Sequence, residues 1–483
     1  MRINVILRYA GIVMMLNAVF MLIAAGVSLA GGLGPDSSFY ALLLSAVLTG
    51  GMGAFPLLFV ERTDRLTMKE GYAVVVSAWL LACFVGMFPY LLWGGEFDLS
   101  TAWFESVSGF TTTGATALHN VEGLPRGLLF WRSSTHWLGG VGVVMFTLLI
   151  MPSMGHNKMT LSSVELSPLA RDNYRYRTQK IVQILLLIYV GMTACETVLL
   201  KVAGMNWFDA LNHSFSTIST GGFSTRNASI GYYDNVWIEV ITTAFMIISG
   251  LHYGLIFATI TGKRNNIFRS EVARFYLIVF GVAALLISVN LWGEGVYATV
   301  GESVRKGFFQ AAAMITTTGF ATADTTTWTP FAIVVLIVLM FQCGCAGSTS
   351  GGIKSDRILL AFKVFKARLL QQQHPNAVIR IKLGGVAQDR EVVNFAMFFI
   401  VVYLMLVLIG TVVVAASGVD LTTAFSMIAS SIGNIGPGFG TVGTAADYSH
   451  ISPFINFFCT LFMLLGRLEI FGLIQLFMIK WWR

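Results

Sequence analysis

Residues 101–118 read TAWFESVSGFTTTGATAL, a short run of apolar and small residues that passes directly into a threonine-glycine stretch. The same order of residue types returns as WFDALNHSFSTISTGGFST at 207–225, VRKGFFQAAAMITTTGFATA at 304–323 and LTTAFSMIASSIGNIGPGFG at 421–440. Alignment puts Thr112-Thr113-Gly114, Thr220-Gly221-Gly222, Thr317-Thr318-Gly319 and Asn434-Ile435-Gly436 in register, with glycine-to-glycine steps of 108, 97 and 117 residues. Recurrence at a near-constant step marks one structural unit used four times.

Each short run lies between long apolar stretches, such as VVVSAWLLACFVGMFPYLLW at 74–93 before the first and a helix from about Leu128 after it. Of the 483 residues, 55% are apolar and 11% charged, whereas an ordinary soluble domain carries about a quarter charged residues. About 20 apolar residues carry a helix across roughly 30 Å of hydrocarbon, so the chain reads as a polytopic helical membrane protein. Its opening run, MRINVILRYAGIVMMLNAVFMLIAAGVSLAGG, is too long for a signal peptide and no small-residue cleavage site follows a short apolar core, so it reads as a retained first helix. The expected organisation is two N-terminal helices in 1–70 and four pore repeats in 71–155, 156–265, 266–390 and 391–483.

A segment that short cannot span a bilayer and reads as a re-entrant half-helix. Its glycine-rich continuation cannot face lipid, where each unpaired backbone N–H or C=O costs several kcal/mol, and therefore lines a wet cavity. Four such units predict an all-α fold with helix–pore-loop–helix repeats in a pseudo-fourfold ring around a central pore. A cation on that axis needs oxygens in place of its hydration shell, and inward-turned backbone carbonyls are the densest source. Turning successive carbonyls one way needs backbone angles that glycine tolerates. Thr111, Thr112, Thr113, Ser219, Thr220, Thr316, Thr317 and Thr318 add hydroxyls or tie down the loops. The C-terminal ends of the half-helices aim partial negative charge at the axis, and neutral oxygen donors suit a weakly hydrated monovalent cation better than Ca²⁺ or Mg²⁺. Small residues at helix-packing interfaces are the competing explanation for one such stretch; four in register favour the pore.

Of the 31 Lys and Arg, 24 fall in the N-terminus and alternate loops, leaving Arg126, Arg132, Lys201, Arg226, Arg305, Lys306 and Arg467. By the positive-inside rule both termini and the rich loops are cytoplasmic, so the net charge of +7 reflects topology and not nucleic-acid binding. The opposite side offers Glu96, Asp98, Glu122, Asp209, Glu294, Asp324, Asp420 and Asp447, either ordinary loop composition or a surface that concentrates cations. Cys83, Cys195, Cys343, Cys345 and Cys459 lie in apolar or glycine-rich segments and read as small packing residues, with no disulfide or zinc pattern. His136, His213 and His252 read as hydrogen-bonded packing; Arg132, Trp137, Gly139, Gly140 and Gly142 as close helix packing; and Glu105 as a structural hydrogen-bonding group or an attractor of ions.

Two features interrupt the second helices. In GCAGSTSGGIKSDR, Gly344, Gly347, Gly351 and Gly352 break the middle of the second helix of repeat three, with small polar Cys345, Ser348, Thr349 and Ser350 between them. A phosphate-binding G-x-x-x-x-G-K-[ST] fails there by one residue, because Ile353 stands where its lysine belongs. Arg467 stands inside FFCTLFMLLGRLEIFGLIQLFMI, 13 residues before Lys480, too deep to snorkel out. It either pairs with Glu469 or another buried carboxylate, or stands beside the axis below the loops as an electrostatic barrier to a resident cation.

The set TTTGAT, STGGF, TTTGFA and NIGPGFG, with GCAGSTSGGIKSDR and LLGRLEIFG, resembles the Trk/Ktr/HKT superfamily of potassium transporters along the whole chain, and its TrkH/TrkG branch most closely. The resemblance implies potassium uptake through a selectivity filter built on Gly114, Gly222, Gly319 and Gly436. Sodium-favouring plant relatives tend to carry serine at the first of these, so Gly114 points to potassium. It implies that 342–353 is an intramembrane gating loop below the filter, and that Arg467 stands near it. It also implies a homodimer bound to a TrkA-like ring of cytosolic nucleotide-binding subunits in the bacterial cytoplasmic membrane, with K⁺ as cargo and no organic cofactor. The basic loop 354–390 is the expected docking surface for that ring or for anionic lipid heads. None of the loops is a full TVGYG. A Na⁺- or H⁺-coupled symporter of the same fold is the alternative, though no carboxylate chain suited to a proton relay appears in the helices. An intramembrane enzyme lacks an acid/base constellation.

Overall fold

The computed structural model describes residues 2–30, 34–61, 68–150, 178–263, 266–377, 379–470 and 472–473. Two long helices, Ile3–Leu29 and Phe39–Phe59, come first. They run antiparallel in close contact because glycine faces glycine: a Cβ on Gly11 would stand 2.8 Å from the Gly53 carbonyl oxygen, and one on Gly53 would stand 2.9 Å from that of Gly11. Small residues let membrane helices approach this way.

Four units of like construction follow. The first runs Met68–Gly86 with Phe88–Trp93, half-helix Leu99–Phe110, then Arg126–Ile150. The second runs Thr178–Val202, half-helix Trp207–Ile218, then Val236–Ser249 and Tyr253–Ile260. The third has Glu271–Gly293, half-helix Val300–Ile315, then Pro330–Phe341 and, after a break, Ser355–Gln373. The fourth has Arg390–Ala416, half-helix Leu421–Gly433 and Pro453–Arg467. Among the described residues six helices are long and apolar enough to cross a membrane, or seven spans if the bent pair in 236–260 is one.

The half-helices begin where the sequence caps them. Asp98, Asn206, Thr299 and Asp420 each accept a hydrogen bond from the backbone N–H three residues on, at Thr101, Asp209, Glu302 and Thr423, satisfying a donor that a helix start leaves unpaired. Their bodies form the core, so that residues 311–315 and the side chains of Ala424, Met427 and Ile428 are fully buried. The outer helices invert the soluble pattern. Arg390–Ala416 exposes Leu404, Leu408, Ile409 and Val412, an apolar rim that matches hydrocarbon.

Three readings need correction. The second helix of repeat two is not continuous: Val236–Ser249 and Tyr253–Ile260 meet at 106°. The fourth repeat's second helix stops at Arg467, where Glu469 and Ile470 both adopt left-handed backbone. Cys195 is exposed on its helix and is not a packing residue, unlike the buried Cys83, Cys343, Cys345 and Cys459. The basic positions at 62–67 and 158–177, with Arg264, Lys480 and Arg483, lie outside the described residues, as does the run 474–483.

Candidate functional site

The four half-helices end in the same way. Thr113, Gly221, Thr318 and Ile435 each donate their backbone N–H to the carbonyl five residues earlier, on Ser108, Ser216, Ala313 and Ser430, at 2.8–3.0 Å. Just before each of these residues the chain enters left-handed backbone, with φ of 51° at Thr112, 55° at Thr220, 57° at Thr317 and 53° at Asn434. Three of the four are β-branched threonines, for which this conformation is a genuine outlier maintained by the surroundings. The glycine two residues on is also at positive φ, from 73° at Gly319 to 103° at Gly436.

Those glycines close a ring. A Cβ on Gly436 would stand 2.6 Å from the carbonyl oxygen of Thr113. A Cβ on Gly114 would meet the carbonyl oxygen of Gly221 still closer, one on Gly222 that of Thr318, and one on Gly319 that of Ile435. Repeat one touches two, two touches three, three touches four, and four returns to one. Thr112-Thr113-Gly114, Thr220-Gly221-Gly222, Thr317-Thr318-Gly319 and Asn434-Ile435-Gly436 therefore meet around one circuit. Among the described residues no protein donor reaches the carbonyls of Thr113, Gly221, Thr318 or Ile435.

The hydroxyls mainly tie the loops down. Thr111 and Thr316 donate to the carbonyls of Val107 and Ala312 and lie 2.8 and 2.7 Å from the hydroxyls of Thr113 and Thr318. Ser219 donates to Phe215. Asn434 bridges the last seam, its amide donating to Thr113 Oγ1 at 3.0 Å and to the Met463 carbonyl at 2.9 Å. Beyond the glycines, Lys306 holds the third loop by donating to the Thr322 carbonyl and Glu239, while Arg305 bonds Glu239 and Asp234. That guanidinium hydrogen bond holds the exposed Asp234 carboxyl below the usual carboxylate range.

Residues 342–354 press against the half-helix C-termini. Gln342–Cys343 pairs in parallel with Ile353–Lys354, closing the segment into a loop. Thr349 Oγ1 donates to the Ile218 carbonyl at 3.0 Å, Thr220 Oγ1 donates to Thr349 Oγ1 at 3.3 Å, and the Gly351 N–H donates to Thr317 Oγ1 at 2.8 Å. Gly351 also abuts the fourth loop, since a Cβ there would stand 2.9 Å from that of Asn434. The Cys345 N–H donates to the Gly250 carbonyl and the Tyr253 N–H to that of Gly347, so the bend at 250–252 receives this loop. Ser348 donates to the Cys345 carbonyl and contacts Ser350, and the Gly344 carbonyl accepts from the Ser355 N–H. Left-handed Gly352 packs on Cys343.

Arg467 reaches the same place with no carboxylate partner among the described residues. Its guanidinium donates to the carbonyls of Thr349 at 2.7 Å and Gly139 at 3.2 Å and stands 5.8 Å from the Trp79 ring centroid. Glu469 pairs with Arg357 instead. Glu105 is a structural hydrogen-bonding group, and Arg132, expected as a packing residue, is its partner. They form a buried ion pair at 2.8 Å, foreshadowed by opposite charges standing alone in two apolar segments of one repeat. Among the described residues no cluster of three His, Cys, Asp or Glu suited to a metal ion occurs.

A family model described as "TrkH: Cation transport protein" matches residues 46–481. The chain is 35% identical over 488 residues to the Trk system potassium uptake protein TrkH of Escherichia coli strain K12, covering all of both chains. It is 34% identical over 424 residues to the Trk system potassium uptake protein TrkG of the same organism, covering 87% of this chain and 86% of that one. Among solved structures it is similar to the crystal structure of the potassium transporter TrkH from Vibrio parahaemolyticus, with a TM-score of 0.90, 31% identity and full coverage of both chains.

Proposed function

The chain belongs to the TrkH family of cation transport proteins, and on that premise we propose that it takes up potassium across the bacterial cytoplasmic membrane through the ring of four loops. Gly114, Gly222, Gly319 and Gly436, with the residues preceding each, serve as the selectivity filter. Backbone carbonyls supply the oxygens that replace water around K⁺. The observation that carries this reading is the closed circuit in which each glycine rests against a carbonyl of the next loop, a geometry that only glycine accommodates.

Residues 342–353 act as the gate. Their seat against Ile218, Thr220 and Thr317 supports obstruction of the cytoplasmic exit, and Arg467, bonded only to carbonyls among the described residues, adds positive charge there. The two N-terminal helices and the four repeats divide the chain at 70, 155, 265 and 390, with both termini cytoplasmic. The functional unit is a homodimer. Its TrkA-like regulatory ring docks on Ser355–Gln373 and the adjoining basic segment, a reading supported by the exposed side chains of Phe362, Phe365 and Leu369.

The test is growth of a potassium-uptake-deficient bacterium at low K⁺, rescued by the intact chain and by versions carrying Gly114→Ser, Gly222→Ser, Gly319→Ser or Gly436→Ser. The intact chain restores growth and each substitution weakens it. Rescue indifferent to all four overturns the filter assignment, and no rescue by the intact chain overturns uptake itself.

A further inference from the structure

Behind the first two loops lies a buried cluster that their carbonyl ring does not require. Glu105, on half-helix Leu99–Phe110, is fully buried and Arg132, on helix Arg126–Ile150, is 3% exposed. Arg132 Nε donates to Glu105 Oε2 at 2.8 Å. The other carboxylate oxygen, Oε1, accepts from Thr116 Oγ1 at 2.6 Å and from the Ala117 N–H at 2.8 Å, both where loop one leaves the ring. Arg132 Nη1 donates to the Ser224 carbonyl, where loop two leaves it. One ion pair thus holds both exits.

The neighbouring Phe223 is clamped. The Arg132 guanidinium carbon lies 3.5 Å from the Phe223 ring centroid, and His136 stacks on the same ring at 4.0 Å and 10°. Residues four apart on a helix lie one turn above each other, so Arg132 and His136 grip the ring as two jaws. The Phe223 N–H donates to His136 Nδ1 at 3.4 Å, and a Cβ on Gly221 would stand 2.6 Å from His136 Cγ. The helix of repeat one therefore bears directly on the backbone of loop two.

We propose that Glu105, Arg132, His136 and Phe223 are positioning residues that set the spacing of the first two loops and so determine how sharply the pore discriminates K⁺ from Na⁺. The inference rests on the filter reading above. A buried charge-assisted pair is short and directional, and neutral side chains in its place hold the two loop exits through weaker hydrogen bonds. A looser seam accepts the smaller, more tightly hydrated Na⁺. It does not close the path.

The experiment measures Rb⁺ and Na⁺ uptake by a potassium-uptake-deficient bacterium expressing the full chain, normalised to membrane protein level. The variants are the double Glu105→Gln/Arg132→Gln, which removes both charges together, and the milder Phe223→Leu, which keeps apolar bulk but removes the stacked face. The ratio of Rb⁺ to Na⁺ uptake should fall on the order of tenfold in the double variant, a change equivalent to about 1.4 kcal/mol, and less in Phe223→Leu. Arg132→Lys, which keeps the charge but loses the fork and the flat stacking surface, should fall between the double variant and the unaltered chain. If both ions fall together in step with protein level, the cluster only supports folding and the inference is wrong. If Phe223→Leu is made at the normal level and keeps the original ratio, the inference is equally overturned, even should the double variant fail to accumulate. Absence of Rb⁺ preference in the unaltered chain would instead sink the filter reading on which this one stands.

Discussion

Arg467 holds its charge in an unusual way. Its two terminal nitrogens donate to the carbonyls of Thr349 and Gly139 while Nε has no partner, and among the described residues no carboxylate pairs with it, Glu469 being engaged by Arg357. Two unit charges 4 Å apart interact by about 4 kcal/mol at an effective dielectric of 20, so a cation leaving the loops toward Thr349 meets real repulsion. The same contact also pins the backbone of the loop proposed as the gate. Arg467→Ala should therefore raise K⁺ flux several-fold in uptake assays; unchanged flux at normal protein level contradicts a barrier role. Arg467 was legible as a charge stranded in an apolar run, but its partners were not, since backbone carbonyls leave no trace in residue identity. Arg132 shows the converse: it looked like packing because its acid, Glu105, stands 27 residues away in a segment whose proximity only the hairpin of half-helix and helix creates.

The same contrast holds for elements. Half-helix lengths and the glycine positions were readable, because each is fixed within one turn by local backbone demands; the caps at Asp98, Asn206, Thr299 and Asp420 emerged only with the structure. The bend between Val236–Ser249 and Tyr253–Ile260 was not. It depends on residues 342–354, whose Cys345 N–H and Gly347 carbonyl take up backbone groups of Gly250 and Tyr253 that helical bonding would otherwise use. The break in repeat three and the bend in repeat two are thus two halves of one joint, with Thr349 as its pin. Thr349→Val keeps the side-chain shape and removes the hydroxyl that donates to the Ile218 carbonyl. Loss of one such hydrogen bond weakens the seated state by about 1 kcal/mol, so basal K⁺ flux should rise by roughly fivefold. A Thr349→Val chain whose flux and thermal stability both match the parent would show that this bond does not hold the gate.

At the scale of the whole molecule, peptide bonds join repeat one to two, two to three and three to four, yet the circuit closes between four and one with no covalent link. That seam is built from Asn434 to Thr113, the Tyr448 N–H to the Thr116 carbonyl at 2.8 Å, Trp103 Nε1 to Thr460 Oγ1 at 3.0 Å, and Phe104 against Tyr448 at 5.4 Å between ring centroids. The partners lie more than 300 residues apart, which is why the repeats were visible in the sequence and their mutual contacts were not. The seam between three and four has the same character: Thr444 donates to the Ala323 carbonyl and accepts from the Thr325 N–H. Noncovalent seams on both sides of repeat four mean that its covalent tether is dispensable once the parts are in one membrane. The exposed turn at 374–376, after helix Ser355–Gln373, is the place to cut, since exposed loop tips with few backbone bonds tolerate interruption best. Co-expressed pieces 1–375 and 376–483 should copurify and restore growth at low K⁺ to a substantial fraction of the intact chain, while either piece alone restores none. Pieces that both insert in the membrane but neither copurify nor rescue would mean that the tether, and not the seam chemistry, brings repeat four into the ring.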